Sequence, residues 1–418
     1  MTDINGLLKE YEGLCDSAEN ARRLALWQTG DCGLRGETQW HGVPAFTSAE
    51  GRPMPVTAEC LEKMWEKVLG MDIRRFYTEP DYFLEYFLKY KMLKFRRFRD
   101  DTPLTREIPV CFGVTHEAGI LGQKVLFLPG EEPQFGKDPI VDEDSVLPKT
   151  IDFAGNPYIA MATRYYQRVK ELAGEAFHVI FPVWYRGPQG VALYIRGFQN
   201  FSIDMYVNED FAFRLLRYVT DAARQFAAWR QEYTGDPIAR CDLFNDDIPL
   251  MSPESYEKFF LPFEQEIADL HGGAWYWHSC GDITKHVPAV SRLRGVALLD
   301  FGVTMEDKAE GLKGLAMTGS AATNSSAATN SDAAPAIELR VMAKRHIQEA
   351  TEGEQKDYVR GILRACAAHG VARYVIRSSG MSLLLGGEPD LEKLARWVDL
   401  VREVQAEERP RSAAGGRG

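Results

Sequence analysis

No run of apolar residues in this 418-residue sequence approaches the length of roughly 20 that a bilayer-spanning helix needs. The first residues, Met1 to Ile4, lack the basic and apolar regions of a secretory signal peptide. The seven cysteines are scattered and odd in number, which argues against a disulfide framework. These absences predict a cytoplasmic protein whose reduced thiols are available to a metal.

An excess of positive charge is also missing. The chain has 49 Lys and Arg against 60 Asp and Glu, and the net charge of −11 is a poor match for a phosphate backbone. Hydrophobic residues make up 45% and charged residues 26%, as in an ordinary globular protein. We therefore expect neither nucleic acid nor a membrane as a partner.

The pattern of the chain changes near residue 105. Residues 1–104 are rich in aromatic residues at helical spacing, as in 7–23, 56–69 and 76–98, and predict an N-terminal helical extension packed on the main domain. From 105 to 405, short β-branched runs alternate with helical patterns, which predicts a parallel sheet covered by helices. At this length a closed (β/α)₈ barrel is the first choice. An open doubly wound sheet is second, because no G-x-G-x-x-G follows a candidate strand.

Two segments of the chain are predicted to lack order. Residues 318–335 are small and polar and contain Ala-Ala-Thr-Asn-Ser twice, which predicts a flexible insertion on a loop. Residues 406–418 predict a disordered tail. The candidate strands are 108–114, 125–128, 178–183, 239–244, 274–278, 296–301 and 374–377. The candidate helices are 158–172, 210–232, 252–270, 283–293, 354–369 and 390–404.

The most informative stretch is 275–282, which reads Trp-Tyr-Trp-His-Ser-Cys-Gly-Asp and predicts a strand that ends in a loop. Successive side chains of a strand alternate between its faces, so His278 and Cys280 should point the same way. An imidazole and a thiol so placed are ligands that zinc accepts. The alternative is that Cys280 is a small buried hydrophobe and His278 a hydrogen-bonded histidine.

Other polar residues follow the candidate strands, where a barrel carries its active site. Asp246 and Asp247 come after the strand 239–244 and are candidates for a base, a metal ligand or an outer-shell partner. They are equally compatible with a turn before the helix that starts at Ser252. Glu117 is a candidate carboxylate after the strand 108–114, or a residue that solvates a turn.

Three further residues are candidates for contact with a substrate. Arg196, with Tyr194 nearby, can clamp a carboxylate with its bidentate fork, or can pair structurally with Asp204. Trp277 can form part of an aromatic wall, with packing in the core as the alternative.

Three stretches together resemble the uroporphyrinogen decarboxylase superfamily, and within it the cobamide-dependent methyltransferases. They are 187–206 (with Gly-Pro, Arg-Gly-Phe and Asp-Met-Tyr), 246–263 (Asp-Asp, Met-Ser-Pro-Glu-Ser-Tyr and Leu-Pro-Phe) and 278–282 (His-Ser-Cys-Gly-Asp). The resemblance covers about 105–405 and implies a (β/α)₈ barrel. The decarboxylases carry an arginine-rich Pro-Val-Trp-x-Met-Arg-Gln-Ala-Gly-Arg stretch, which this chain lacks, so decarboxylation of uroporphyrinogen is not expected.

In the thiol-methylating members that the chain resembles, His-x-Cys and a second cysteine near the end of the last strand bind zinc. Residues 376–381 of this chain contain no cysteine. We therefore expect either that another group completes the zinc shell of His278 and Cys280 or that the metal is absent. The candidates for that group are Asp247, Glu117, Asp300 and Cys241. A metal held by fewer sulfurs keeps more positive charge and suits the polarisation of an ether or phenol oxygen.

The resemblance therefore implies a corrinoid-dependent methyltransferase. It would move a methyl group from a small donor, such as an O-methyl aromatic, to the cobalt of a partner corrinoid protein, because the chain has no corrinoid-binding D-x-H-x-x-G. Asp247 or Asp246 would be a ligand or proton donor and Glu117 a second carboxylate. The alternatives are transfer from methylcobamide to a thiol or tetrahydrofolate, a metal-free decarboxylase or lyase, and a non-catalytic corrinoid-binding scaffold. Assembly into a homodimer stays open.

Overall fold

The protein is described by a computed structural model that covers residues 3–29, 46–48, 53–237, 240–301, 312–313, 336–371, 373–379 and 390–408. The strands are β1 Trp27–Thr29, β2 Phe46–Ser48, β3 Val56–Ala58, β4 Glu107–Pro109, β5 Val125–Leu126, β6 Gln134–Phe135, β7 His178–Ile180, β8 Cys241–Phe244, β9 Ala274–His278, β10 Leu298–Phe301, β11 Ala336–Met342 and β12 Tyr374–Ser379. The helices are α1 Ile4–Cys15, α2 Ala18–Leu24, α3 Glu62–Leu69, α4 Ile73–Thr78, α5 Pro80–Arg97, α6 His116–Ile120, α7 Pro157–Ala173, α8 Pro188–Arg196, α9 Phe198–Val207, α10 Glu209–Thr234, α11 Pro253–Ser255, α12 Leu261–Leu270, α13 Val287–Val290, α14 Glu352–Ala368 and α15 Leu391–Glu408. Among these described helices, none has the length and apolar character that a bilayer crossing requires.

The predicted parallel sheet is confirmed. Six strands pair in the order β3-β12-β11-β10-β9-β8, and every neighbouring pair is parallel. Strands β4 and β7 form a second parallel pair. A single parallel bridge between Arg186 and Phe244 joins the segment after β7 to β8. The protein is therefore an α/β structure rich in helix.

The hydrogen bonds of the described strands do not close one continuous cylinder, because β3 and β4 belong to different sheets. The free edge of β3 is occupied instead by two carboxylates. Asp101 accepts a hydrogen bond from the amide of Val56 at 2.9 Å, and Asp100 accepts one from the amide of Ala58 at 3.0 Å. Side chains thus satisfy the edge that a neighbouring strand would otherwise cover.

Most of the predicted elements are present with shifted ends. Strand β9 has the predicted bounds, whereas β4 ends at Pro109, earlier than predicted, and a 3₁₀ turn occupies Gly113–Thr115. The prediction of one helix over 56–69 is wrong for β3, a buried strand of three residues. The division of the chain at residue 104 stays a prediction. Strand β3 lies before this boundary in sequence, yet it pairs with β12 in the six-stranded sheet. Strand β11 was not predicted.

The segments predicted to lack order lie mostly outside the description. The insertion 318–335 lies outside the described residues, as do 380–381 and the tail from 409 onward. Helix α15 runs to Glu408, so residues 406–408 are helical, unlike the prediction.

Local sequence explains where the covering helices begin and end. Helix α7 begins at Pro157, and the side chain of Asn156 accepts hydrogen bonds from the two following amides. Helix α10 ends at Thr234, and the next residue, Gly235, has the left-handed conformation common after a helix C-terminus. Helix α14 begins with a capping box between Thr351 and Glu354. The carboxyl ends of the strands that these helices cover carry the polar residues described next.

Candidate functional site

Strand β9 separates two environments, because its side chains alternate between its faces. Tyr276 and His278 lie on one face and contact each other across 3.3 Å, while Trp277 lies on the other. The chain leaves the strand after His278, and Gly281 then packs against the ring of Pro249 in the loop after β8. A Cβ at Gly281 would stand 2.6 Å from that ring, so only glycine lets the two loops approach so closely.

This approach brings three metal-type ligands together. One ligand atom each of Asp246, His278 and Cys280 lies within 4.8 Å of the others. His278 Nε2 is 3.4 Å from Cys280 Sγ and 3.2 Å from Asp246 Oδ1. The predicted convergence of His278 and Cys280 is therefore confirmed, and Asp246 is the third member.

Other contacts hold each ligand in place and leave one atom directed at the cluster. Asp300 is hydrogen-bonded to Nδ1 of His278, which orients the ring so that Nε2 faces Cys280 and Asp246. Arg186 donates to Oδ2 of Asp246 at 2.6 Å, which leaves Oδ1 toward His278. The amide of Cys280 also donates to this Oδ1, at 3.0 Å.

The arrangement fits a zinc ion. Zinc bonds of typical length in a tetrahedral shell separate the ligand atoms by roughly 3.3–3.8 Å. The two distances from His278 Nε2, 3.2 and 3.4 Å, are close to this range. Within the described part of the chain the group supplies three protein ligands, and a three-ligand set with a fourth position open is typical of catalytic rather than structural zinc sites.

Burial and charge shift the protonation of these groups in opposite directions. Burial alone would raise the pKa of Asp246, but Arg186 and His278 hold this pKa well below its usual range. Burial likewise opposes the charged form of His278, yet Asp300 and Asp246 raise its pKa well above the ordinary value. Asp246 is thus an ionised carboxylate, the form in which it can bind a cation.

Arg186 is a residue of the candidate site that the sequence analysis missed. Its side chain is 3% exposed, and it also lies 3.7 Å from Asp247 and contacts the hydroxyl of Tyr194. Glu117 holds the backbone of this segment, because its Oε1 accepts hydrogen bonds from the amides of Tyr185 and Arg186 at 2.8 and 3.0 Å. The available signal was an arginine just before Gly187-Pro188, where a candidate strand gives way to a helix.

Asp247 lies beside the cluster, next to Arg186. Its Oδ2 is buried without a hydrogen-bond partner in the described structure, while the side chain as a whole is 19% exposed. Burial raises the pKa of Asp247, opposed by Arg186. Asp247 is therefore more readily protonated than an ordinary aspartate.

Other predicted site residues lie outside the cluster. Arg196 forms a two-pronged ion pair with Asp204 at 2.7 and 3.2 Å, the structural alternative considered above. Glu117 is fully buried, and burial raises its pKa despite the two amides. Cys241 is buried at the start of β8, where its Sγ faces the carbonyl of Gly273 at 3.8 Å.

Trp277 is also apart from the cluster, because it lies on the opposite face of β9. Its Nε1 donates to Glu264 Oε2 at 3.1 Å, and Tyr256 donates to the same oxygen at 2.7 Å. Trp277, Glu264 and Tyr256 form what we call the Glu264 network. It lies between β9 and α12 and is fully buried. Tyr256 belongs to the Ser-Pro-Glu-x-Tyr motif, so the structure places this part of the motif behind the cluster.

Comparison with known proteins agrees with this fold. A family model described as uroporphyrinogen decarboxylase (URO-D) matches residues 57–403, most of the chain. The chain belongs to the uroporphyrinogen decarboxylase family. No curated protein matches its sequence. Among solved structures, a methyltransferase from Methanosarcina mazei is similar, with a TM-score of 0.56 and 16% identity over 84% of this chain and 95% of that one.

The range matched by the family model begins within β3, the strand for which the sequence pattern predicted a helix. The matched range of 57–403 includes every residue of the cluster, namely Asp246, His278 and Cys280, and their partners Arg186 and Asp300. The likeness to the methyltransferase concerns the fold, since the two sequences are only 16% identical.

Proposed function

We propose that this family member is a methyltransferase that moves a methyl group from a small donor, such as an O-methyl aromatic, to the cobalt of a corrinoid bound by a partner protein. The convergence of Asp246, His278 and Cys280, each with one ligand atom directed at a common point, carries the proposal. A carboxylate, an imidazole and a thiol, the three ligands that the described residues provide, suit a catalytic zinc ion. The similarity in fold to a methyltransferase supports the same reading.

In this proposal, Asp246, His278 and Cys280 would hold the ion, and Asp300 would orient His278. Bound zinc would supply a Lewis acid that stabilises negative charge on the oxygen from which the methyl group departs. Arg186 keeps Asp246 ionised and fixes which oxygen faces the cluster. A ligand set with a single sulfur leaves more positive charge at the site than a set rich in thiolates.

The transfer itself would break the carbon–oxygen bond of the donor and form a carbon–cobalt bond, with the electron pair supplied by Co(I). The released oxygen needs a proton, which Asp247 is suited to donate. Burial raises the pKa of Asp247, and its side chain remains in part accessible beside the cluster. Asp247 is therefore the proposed general acid. Arg186 lies near Asp247 and also contacts the hydroxyl of Tyr194.

We also propose that the strands are arranged around one axis as the (β/α)₈ barrel expected of the family, although their hydrogen bonds do not form a continuous ring. Strands β3, β4 and β7 to β12 run in parallel pairs, and the Arg186–Phe244 bridge connects the two sheets on one side. On the other side, Asp100 and Asp101 cover the edge of β3. A cobamide on a partner protein would reach the cluster from the carboxyl ends of the strands, where Cys280 is exposed.

Methyl transfer to free cob(I)alamin tests this function directly. The zinc-loaded protein is mixed with cob(I)alamin and para-methoxyphenol, and formation of methylcobalamin is followed by its absorbance. We expect turnover in the wild type and a loss of at least about 100-fold in Cys280→Ser. Glu175→Gln, an exposed carboxylate beside the opposite end of β7, is the matched control and should keep the wild-type rate. Equal rates in wild type and Cys280→Ser would refute the role of the cluster.

The same assay separates the alternatives. If the protein methylates an added thiol with methylcobalamin in the absence of an ether donor, the methyl group leaves the cobalt, which would favour the methylcobamide:thiol alternative. Turnover of an acidic substrate by metal-free protein would instead favour a lyase.

A further inference from the structure

Helix α9 carries an apolar face that points to solvent. A surface helix normally shows its polar face to water. On α9, by contrast, Tyr206 and Val207 are 74% and 75% exposed, while the charged Asp204 is buried. The other exposed large apolar side chains of this helix are Phe198 and Ile203. Contact with another surface would remove this apolar area from water, so the face is suited to binding.

The segment 138–146 adjoins α9 at both ends of the helix. Before α9, Pro139 lies against Gly197, where a Cβ would be 3.0 Å from the proline ring. After α9, the side chain of Asn208 donates a hydrogen bond to Glu143 at 2.9 Å. The segment therefore runs beside the helix over its length. We call the exposed side chains of α9 and of 138–146 the α9 surface.

Exposed apolar side chains are concentrated in the α9 surface. Among the described residues, ten large apolar side chains are exposed, and six of them lie here. These six are Ile140, Val146, Phe198, Ile203, Tyr206 and Val207. Single exposed apolar residues are ordinary on a protein surface, whereas a contiguous group of them marks an interaction site. The α9 surface is therefore a candidate interface.

Carboxylates border the α9 surface and decide what can cover it. The segment contributes four that are exposed, namely Asp138, Asp142, Glu143 and Asp144, and residues 138–148 contain no basic side chain. Asp142 accepts a hydrogen bond from Ser145 and Glu143 accepts one from Asn208, so the partners of both are neutral. A second copy of the chain, related by a two-fold axis, would bring the same four carboxylates to the interface. Repulsion between like charges disfavours that contact and favours a partner with basic side chains.

The α9 surface lies at the same end of the strands as the candidate site. Helix α10 follows α9 and leads to β8, which is bridged in parallel to the segment after β7. A helix that connects two parallel strands runs back along them, so α10 begins at their carboxyl ends. Its first residue, Glu209, pairs there with Lys258, from the helical segment after β8, at 2.6 Å.

Helix α8 connects the α9 surface to the cluster. It begins at Pro188, close after Arg186, and ends at Arg196, just before α9 starts at Phe198. Its nine residues span roughly 14 Å. A protein interface of standard size covers about 800 Å² of each partner, an area roughly 28 Å across. A protein docked on the α9 surface is therefore large enough to reach the cluster as well.

We propose that the α9 surface is the docking site of the protein that carries the cobamide, and that this partner meets it with an apolar patch bordered by lysine or arginine side chains. The inference rests on the proposed function, since that reaction is what requires such a partner. It extends the function by assigning the contact to one surface and by stating the chemistry of the partner's face. The residues of the α9 surface lie outside the cluster, so the docking does not depend on the charge of a metal ion there.

Retention of cobamide on immobilised protein tests the proposal. The probe is the mixture of cobamide-containing proteins from the organism that carries this chain, and the absorbance of the cobamide identifies what is retained. The wild type is compared with Val207→Lys and Val207→Asp, which both remove the apolar side chain but add opposite charges. We expect the wild type to retain cobamide and Val207→Lys to retain at least about tenfold less. Val207→Asp should lie between them, because its charge suits a basic partner.

Leu270→Lys is the matched control and should retain as much cobamide as the wild type. Leu270 is 42% exposed at the end of α12, shortly before β9 starts, and therefore lies at the amino ends of the strands. Equal retention by the wild type and Val207→Lys would overturn the proposal. So would more retention by Val207→Lys than by Val207→Asp, or no retention by the wild type. A wild-type dimer in sedimentation that Val207→Lys converts to a monomer would also overturn it, since a second copy would then occupy the surface.

A double variant isolates the contribution of charge. Glu143→Gln with Asp144→Asn removes two carboxylates and keeps the apolar face, so retention should fall about three- to tenfold and depend less on the concentration of sodium chloride. Glu171→Gln with Glu175→Gln removes two exposed carboxylates before the start of β7 and should behave as the wild type. Unchanged retention and unchanged salt dependence in the first double variant would contradict a basic face on the partner.

The docking and the reaction fail separately. If the variants retain the cobamide protein in the expected order, but that protein accepts no methyl group from para-methoxyphenol, the docking surface stands and the proposed function fails. If Val207→Lys methylates the cobamide protein as fast as the wild type at a limiting concentration of that protein, the function stands and the docking surface fails.

Discussion

The two faces of strand β9 carry polar groups that are used in opposite ways. On one face, Trp277 donates to Glu264, which also accepts from Tyr256, and all three side chains are sealed in the core. On the other face, His278 meets Asp246 and the exposed Cys280 at the end of the strand. The first face uses its polar atoms to hold β9 against α12. The second leaves one atom of each group directed at a shared point.

This difference teaches how to separate structural from functional polar residues in one short motif. A buried donor whose partners are all provided by the fold stabilises the fold, because losing a partner costs the desolvation of the other group. A group with one atom held and a second atom directed at other potential ligands is preorganised to bind. Neighbouring residues in sequence, such as Trp277 and His278, can therefore have unrelated roles.

The largest expected effect comes from the buried face of β9, which carries Trp277. Trp277→Ala should lower the free energy of unfolding by about 3–5 kcal/mol, because it leaves a cavity and deprives Glu264 of a donor. Urea denaturation measures the change, and the folded fraction should still bind zinc. Trp277→Phe is the matched variant and should lose less, since most of the ring volume remains. Loss of zinc from folded Trp277→Ala would contradict the claim that the two faces of β9 have separate roles.

The next effect concerns pH. Burial raises the pKa of Glu264 to about 7 from an ordinary value of 4.5. The folded state therefore holds a proton that the unfolded state releases between these values, and stability falls as pH rises from about 4.5 to 7. This group contributes about 3 kcal/mol at most to that fall.

The variant Glu264→Gln cannot ionise and should lose less stability than the wild type between pH 5 and pH 7.5. Thermal unfolding at the two pH values gives the comparison, with Glu175→Gln as the control for an exposed carboxylate. Identical pH dependence in wild type and Glu264→Gln would contradict the effect of burial on the pKa of Glu264.

A smaller effect is expected on the face of β9 that carries His278, where Asp300 orients the imidazole through Nδ1. Asp300→Asn should weaken zinc binding about 10–100-fold, because an amide supports the imidazole less than a carboxylate does. Competition with a chromophoric chelator measures the affinity. An affinity equal to that of the wild type would show that Asp300 does not support His278 as a ligand.

Much of this contrast was predictable from periodicity. Strand β9 has the predicted bounds, because its apolar residues lie between glycines and a polar loop, and the spacing of His278 and Cys280 implied their common side. Strand β11 also had a usable signal that the analysis passed over, since 336–342 alternates apolar residues with Glu338 and Arg340.

The rest depended on contacts between distant segments. Nothing near Asp246 in sequence indicates that Arg186, sixty residues earlier, holds one of its oxygens. Strand β3 has three buried residues and therefore no readable alternation, and its edge is covered by Asp100 and Asp101. Tertiary packing, rather than local preference, decides such features.

Elemental analysis of the purified wild type beside Cys280→Ser tests the central claim, that one face of β9 carries a metal site, most directly. We predict about one zinc per wild-type chain and a loss of most of it in a folded Cys280→Ser protein, because serine is a much poorer zinc ligand than cysteine. Equal zinc contents in the two proteins, or no zinc in a wild type supplied with the metal, would contradict the account.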